Sequence, residues 1–203
     1  MLAKLREHER WPRVDAIAIT HFHLDHWGDL VPWVWGSMFG LGHDLAPPEL
    51  WLPPRGKERL ADFGTRLGWH DMFERVFSLR EYAEGEPFTA AGFEVTAVRL
   101  PHYTLETYGF RVTNGERTVA YSGDSGPSDR LAELARGVDL FICEATLLTG
   151  EADGEPRGHL SLEEAKEAFA SSGARRLLIT HRPQEHPLEN GFELAHDGLE
   201  LEV

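Results

Sequence analysis

The sequence has a single cysteine and no long apolar run. Cys143 alone excludes an internal disulfide framework. No apolar stretch approaches the roughly 18 residues that a membrane-spanning helix needs. The N-terminal residues also lack the apolar centre of a secretory signal. These absences predict a cytoplasmic protein without a membrane span.

Basic residues are also few. The chain has 20 Lys and Arg against 34 Asp and Glu, which gives a formal net charge of -14. Such a field repels polyanions and offers no broad basic surface to a nucleic-acid backbone. The balance therefore favours a small-molecule substrate over long RNA or DNA. The 203 residues suit one domain spanning residues 1–203.

Short apolar runs alternate with helical patterns, which predicts an α/β fold. The predicted strands are residues 14–20, 93–100, 109–113, 118–122, 140–144 and 176–180. The predicted helices are residues 55–67, 128–136 and 161–172. Asn114-Gly115 indicates a hairpin, and Ser161 with Glu164 indicates a capping box before a helix that ends at Gly173.

Two segments near the N-terminus are less regular. Residues 27–42 are rich in Trp, Phe and Leu, which is typical of core or interface packing, with an apolar substrate wall as the alternative. Residues 46–54 are rich in proline, and we expect them to connect elements.

Four potential metal ligands lie within six residues. His21 and His23 follow an apolar strand at a spacing of two, which in extended backbone points both imidazoles the same way. Asp25 and His26 come next, where the chain is expected to turn into a helix, and they can face a second ion. This density of ligands is a strong signal for metal binding.

Three further candidates repeat one design. His102, Asp124 and His181 each follow the C-terminal end of a predicted strand, where open α/β sheets place their sites. Imidazole and carboxylate ligands suit zinc and also allow manganese or iron. The sequence thus predicts a metal centre at one edge of the sheet.

The chain also carries six motif segments, which are residues 21–26, 101–102, 121–127, 139–147, 158–161 and 178–181. In this order they resemble the metallo-β-lactamase superfamily, and within it the ribonuclease Z-like branch of hydrolases and phosphodiesterases. The resemblance implies a four-layer αββα sandwich and two divalent metal ions. A histidine at position 23, where diiron relatives have a carboxylate, argues for zinc. A carboxylate at position 124, where lactamases have cysteine or serine, disfavours β-lactam cleavage.

The resemblance also implies which residues hold each ion. His21, His23 and His102 would bind one metal and Asp25, His26 and His181 the other, with Asp124 bridging the two. A hydroxide between the ions would attack the substrate. Asp25 would orient this nucleophile, and His159 would protonate the leaving oxygen. Glu144, at a strand end, is expected to contact a ligand histidine.

Three departures from the family pattern shape the expectations. Only 20 residues precede His21, so we expect the fold to be shortened at its N-terminus and a second copy to cover the exposed sheet edge in a homodimer. Only 21 residues separate His102 from Asp124, which leaves no room for the tRNA-binding arm. Tyr121 stands where the family's ribonucleases carry an acid that supports the histidine donor, which predicts a weaker or differently arranged acid step.

Three functions remain open from the sequence. The first is hydrolysis of a small phosphodiester. The second is hydrolysis of a carboxylic ester, lactone or thioester at the same site. The third is a truncated domain that binds metal without activity.

Overall fold

The computed structural model describes residues 2–150, 153–188 and 191–203. The chain folds into two compact units, Met1–Ala83 and Glu84–Val203, called here the first and the second unit. The expectation of a single domain over residues 1–203 stays a prediction.

The first unit has a parallel three-stranded sheet among its described residues. The strands are β1 (Ala16–Ala18), β2 (Glu49–Leu52) and β3 (Ser78–Glu81), with β2 between the other two. The helices are α1 (Leu2–His8), α2 (Leu24–Trp27), α3 (Leu30–Phe39) and α4 (Gly56–Arg66). After β1 the chain enters the ligand-rich segment, residues 21–26.

The central strand β2 corrects the prediction that residues 46–54 only connect elements. Leu50 and Leu52 are fully buried and alternate with less buried neighbours, as in a half-buried strand. The prolines lie outside the paired residues on both sides, where they need not donate to the ladder. They mark the ends of this strand, although their number suggested a loop.

The aromatic segment 27–42 contains all of α3 and the last residue of α2, Trp27. Its inner face confirms core packing, because Leu30, Trp33 and Val34 are buried. Trp35 and Phe39 are 50% and 69% exposed, so the opposite face of α3 is outside this core.

The second unit has a mixed seven-stranded sheet among its described residues. Its strands are β4 (Phe88–Ala90), β5 (Phe93–His102), β6 (Leu105–Thr113), β7 (Thr118–Tyr121), β8 (Leu140–Glu144), β9 (Leu177–Thr180) and β10 (Glu193–Leu194). The order is β10-β9-β8-β7-β6-β5-β4, antiparallel from β4 to β7 and parallel from β7 to β10. The helices are α5 (Asp129–Leu134) and α6 (Leu162–Ser172).

Several local predictions are confirmed in this unit. The β6–β7 hairpin turns at Asn114-Gly115, where Gly115 has a φ of 91° and Asn114 Oδ1 accepts from the backbone of Glu116 and Arg117. Helix α6 begins with the predicted capping box and ends at Gly173 in the left-handed conformation.

The strand directions decide where the candidate residues lie. Strands β5, β7, β8 and β9 all point the same way in the sheet. Their C-terminal ends therefore lie along one edge, which carries His102, Asp124, Glu144 and His181. Nowhere in the described residues is a helix long and apolar enough to cross a membrane.

Candidate functional site

In the first unit, the histidines that follow β1 lie close together. His21 is fully buried, and its Nε2 is 3.1 Å from Nδ1 of His23. The Nδ1 of His21 is 3.0 Å from Thr20 Oγ1. The spacing of two residues thus places both imidazoles on one side of the chain, as predicted.

The short helix α2 brings the next two candidates to the same segment. The ring centroids of His26 and His21 are 4.2 Å apart. Asp25 Oδ2 lies 3.4 Å from His26 Nε2, and the Asp25 side chain is 68% exposed. The first unit therefore groups three imidazoles, with the Asp25 carboxylate at their exposed side.

In the second unit, Asp124 lies near two histidines that follow different strands. Its Oδ2 is 3.9 Å from Nε2 of His102 and 3.7 Å from Nε2 of His181. Asp124 is 2% exposed and His102 is fully buried. The potential ligand atoms of Asp124, His159 and His181 all lie within 4.8 Å of one another.

The hydrogen bonds of these histidines fit metal ligation. His102 Nδ1 lies 2.6 Å from the carbonyl oxygen of Gly158, which can only accept, so Nδ1 carries the proton and Nε2 the lone pair. His181 Nδ1 lies 2.7 Å from Thr146 Oγ1, whose single proton has acceptors at the His181 carbonyl and at Glu144. With that proton on either oxygen, His181 Nδ1 is the donor and the lone pair lies on Nε2, which is the hydrogen-bond pattern typical of histidines that bind metals.

His159 is held by a buried carboxylate. Its Nδ1 lies 2.9 Å from Oε1 of Glu144, which is fully buried. The His159 ring stacks on His181 at 5.5 Å and meets His102 edge-on at 4.9 Å. Asp153 Oδ2 accepts from the backbone N–H of His159 at 3.0 Å. These contacts fix the ring beside the proposed ligands.

Electrostatics favours the protonated form of His159. Burial alone would lower the pKa of this imidazole. The hydrogen bond to Glu144 and the negative charges of Glu144, Asp124 and Asp153 outweigh burial, so the pKa lies above its usual value. A histidine in this state can hold a proton for transfer.

Glu144 is the candidate site residue whose main contact could not be predicted from the sequence. It reaches His181 through Thr146, as expected for a residue that supports a ligand, but it also bonds directly to His159. In the family pattern the acid that supports this histidine stands at the position of Tyr121, on β7. Here the carboxylate that contacts His159 belongs to Glu144, at the end of β8. The usable signal was an acidic residue at the C-terminal end of an apolar strand.

Comparison with known proteins decides the family. The model of the β-lactamase superfamily domain matches residues 2–182. The chain belongs to the metallo-β-lactamase superfamily. The predicted α/β fold of that superfamily is confirmed, and so is the ribonuclease Z-like branch.

Three relatives illustrate the match to the metallo-β-lactamase superfamily. An uncharacterised protein of Mycobacterium leprae is 34% identical over 175 residues, which are 82% of this chain and 59% of that protein. The probable metallo-hydrolase YhfI of Bacillus subtilis is 28% identical over 183 residues, 90% of this chain and 72% of YhfI. Its crystal structure gives a TM-score of 0.68 at 26% identity, covering 84% of this chain and 65% of that one. Ribonuclease BN of Escherichia coli is 26% identical, with 83% of this chain and 70% of the ribonuclease covered.

The extent of the match matters for function. The chain spans about three fifths of the length of the first mycobacterial relatives that it matches. Membership of the metallo-β-lactamase superfamily implies divalent metal ions for this chain, and the imidazole and carboxylate groups described above suit such ions.

Proposed function

We propose that this chain hydrolyses a small phosphodiester at a dinuclear metal centre. The observation that carries the proposal is the position of Asp124. One buried carboxylate oxygen lies 3.9 Å and 3.7 Å from the Nε2 atoms of two histidines. Two ligand atoms on one zinc ion are roughly 3.4 Å apart at tetrahedral angles and usual bond lengths. A carboxylate near both imidazoles suits a bridge between two ions.

The ligands are assigned as the superfamily resemblance implies. One ion would be held by His21, His23 and His102, and the other by Asp25, His26 and His181, with Asp124 between them. The grouping of His21, His23 and His26 in the first unit supports this assignment. So do the Nδ1 hydrogen bonds of His102 and His181, which leave Nε2 as the ligating atom. Zinc is the metal that we expect, with manganese or iron as alternatives.

The metals and the protein divide the chemistry. When bound, two divalent ions would lower the pKa of water and neutralise charge on phosphoryl oxygens. Asp25 orients the attacking oxygen from its exposed position beside His26. His159 holds a proton on Nε2 while Nδ1 donates to Glu144, and it passes that proton to the leaving oxygen. Glu144 keeps the ring oriented and stabilises its charged form.

The choice of a small phosphodiester rests on three observations. A relative is a ribonuclease by name, and ribonucleases cleave phosphodiester bonds. In this chain, however, the described residues between His102 and Asp124 form only β6, β7 and their turns, so no long arm for tRNA lies there. The net charge of -14 also repels a polyanion. A cyclic nucleotide or a related compound is therefore the preferred substrate class.

The test is hydrolysis of bis(p-nitrophenyl) phosphate by the zinc-loaded chain, with and without a chelator. We expect turnover that the chelator abolishes and about two bound zinc ions per chain. His159→Ala should lower kcat by about 100-fold or more while metal content stays unchanged. Asp124→Asn should reduce both turnover and bound metal. The matched control is His196→Ala, because His196 is exposed and its Nδ1 lies near the carbonyl oxygen of Asp197.

Each other outcome has a defined meaning. Turnover of carboxylic esters or lactones without turnover of the phosphodiester would replace the proposed substrate class. Metal binding without any turnover would indicate a metal-binding domain without activity. The expected homodimer stays a prediction, and light scattering that shows only monomer at high concentration would contradict it.

A further inference from the structure

Tyr103 occupies an unusual position beside His159. It is the first residue of the two-residue connection between β5 and β6, just after the pair His102 and Leu105. Its φ is 49°, in the left-handed region that disfavours residues with a side chain. A glycine would relieve this strain, so the presence of tyrosine calls for another reason.

The side chain of Tyr103 is held on one side. Its backbone N–H donates to the Arg157 carbonyl at 3.1 Å, and its hydroxyl bonds to Asp153. Gly158 lies against the ring, because a Cβ there would come within 2.3 Å of Cε2. Asp153 Oδ2 also accepts from the N–H of Gly158 at 2.7 Å. The ring is therefore pre-oriented and has little conformational freedom to lose.

The other side of the ring remains available. Tyr103 is 39% exposed although Gly158 covers part of its ring. The ring meets His159 nearly edge-on, with centroids 5.6 Å apart and planes at 79°. It also lies 4.9 Å from the ring of His102. An accessible, fixed aromatic surface thus adjoins the residue that we assign as proton donor.

We propose that Tyr103 contacts the leaving group and favours phosphodiesters that carry a flat aromatic ring on that side. The inference rests on the proposed function. If His159 protonates the leaving oxygen, the leaving group must lie next to His159 and hence within reach of the Tyr103 ring. Aromatic faces stack on flat unsaturated rings, such as an aryl group or a nucleobase, more favourably than on saturated ones.

A purely structural role would give a different result. Through Asp153, the Tyr103 hydroxyl also supports the segment that carries His159. Two variants separate these roles. Tyr103→Phe keeps the ring and removes the hydroxyl, whereas Tyr103→Leu removes the aromatic face. Phe93→Leu is the matched control, because Phe93 is 45% exposed and lies at the opposite end of β5.

The experiment compares methyl phenyl phosphate with methyl cyclohexyl phosphate, which differ in whether the ring is flat. Their affinities for the zinc-loaded chain are measured by calorimetry and by inhibition of bis(p-nitrophenyl) phosphate turnover. The wild type should bind the phenyl ester about fivefold more tightly. This preference should fall close to one in Tyr103→Leu and persist in Tyr103→Phe and in the control.

Failure of the two proposals can be told apart. If the wild type hydrolyses bis(p-nitrophenyl) phosphate but Tyr103→Leu keeps the wild-type preference, only the role of Tyr103 is overturned. The same holds if both Tyr103 variants weaken both esters equally, since that indicates support of the His159 segment. If the wild type shows no turnover at all, the proposed function fails, and the leaving-group role fails with it.

Discussion

Replacing Glu144 with glutamine tests the network behind His159 with a nearly isosteric change. Both carboxylate oxygens of Glu144 are buried acceptors. Oε1 accepts from the Ser125 amide at 2.8 Å and from His159 Nδ1 at 2.9 Å. Oε2 accepts from the Thr146 hydroxyl at 2.7 Å and from the amides of Thr146 and Leu160 at 3.2 Å and 3.4 Å. A glutamine side chain has one acceptor oxygen, so it can accept hydrogen bonds on only one of these two sides.

The two long hydrogen bonds to Oε2, from the amides of Thr146 and Leu160, decide how the glutamine side chain is oriented and how much stability is lost. The glutamine oxygen should stay with Ser125 and His159, and its NH2 group should face the amides of Thr146 and Leu160. The Thr146 hydroxyl can turn and donate to the His181 carbonyl, which lies 2.9 Å away. The buried amide of Leu160 and the partly buried amide of Thr146 then lack an acceptor, at about 1–3 kcal/mol each. Because both bonds are long, we expect a loss of about 2–4 kcal/mol in the free energy of unfolding.

The assay must report on the second unit. All 6 tryptophans precede Ala83, so tryptophan fluorescence follows the first unit. Urea denaturation should be followed by far-UV circular dichroism, and amide hydrogen exchange should be measured at Thr146. The control is Glu133→Gln, because Glu133 is exposed on α5, and we expect a change within about 0.5 kcal/mol. A loss for Glu144→Gln no larger than that of the control would refute this reasoning.

Three further predictions concern pH, packing and metal. Burial alone would raise the pKa of Glu164, but hydrogen bonds led by that from Arg157 hold this pKa below 4.5. Glu164→Gln should therefore lower the free energy of unfolding by about 1–2 kcal/mol at pH 7, measured by urea denaturation. This loss should shrink as the pH falls below about 4, because wild-type Glu164 then takes up a proton. Gly36→Ala should lower the thermal midpoint despite the better helix propensity of alanine, because the new Cβ would lie 1.9 Å from Cη2 of Trp11, and an unchanged or higher midpoint would contradict this. In urea denaturation, zinc at about 100 times its Kd should raise the free energy of unfolding of the wild type by about 2.7 kcal/mol. Asp124→Asn should lose most of that gain.

The candidate metal ligands could be named from the sequence because each one follows a local pattern. His21 and His23 come directly after an apolar run, and their spacing of two needs only extended backbone to align them. His102 is the last residue of β5, and Asp124 and His181 follow β7 and β9. Whether all seven predicted ligands hold ions stays a prediction, but their placement at strand ends is observed for the strands of the second unit.

Other features could not be predicted because they depend on neighbours distant in sequence. The strand β2 was hidden by flanking prolines, and its role is set by pairing with β1 and β3. The left-handed conformation of Tyr103 is tied to its contacts with Arg157 and Gly158. For β2, the local sequence favoured a loop because of the prolines. For Tyr103, nothing in the local sequence indicates a left-handed backbone.

The sequence by itself determined which side chains are available for chemistry and the strand ends from which they project, because hydrophobic periodicity and ligand spacing are local properties. Only the tertiary structure decided which partners they meet. The order of β7, β8 and β9 brings Glu144 to His159 and Asp124 to His181. Strand order is set by the packing of the whole sheet, and no short segment encodes it.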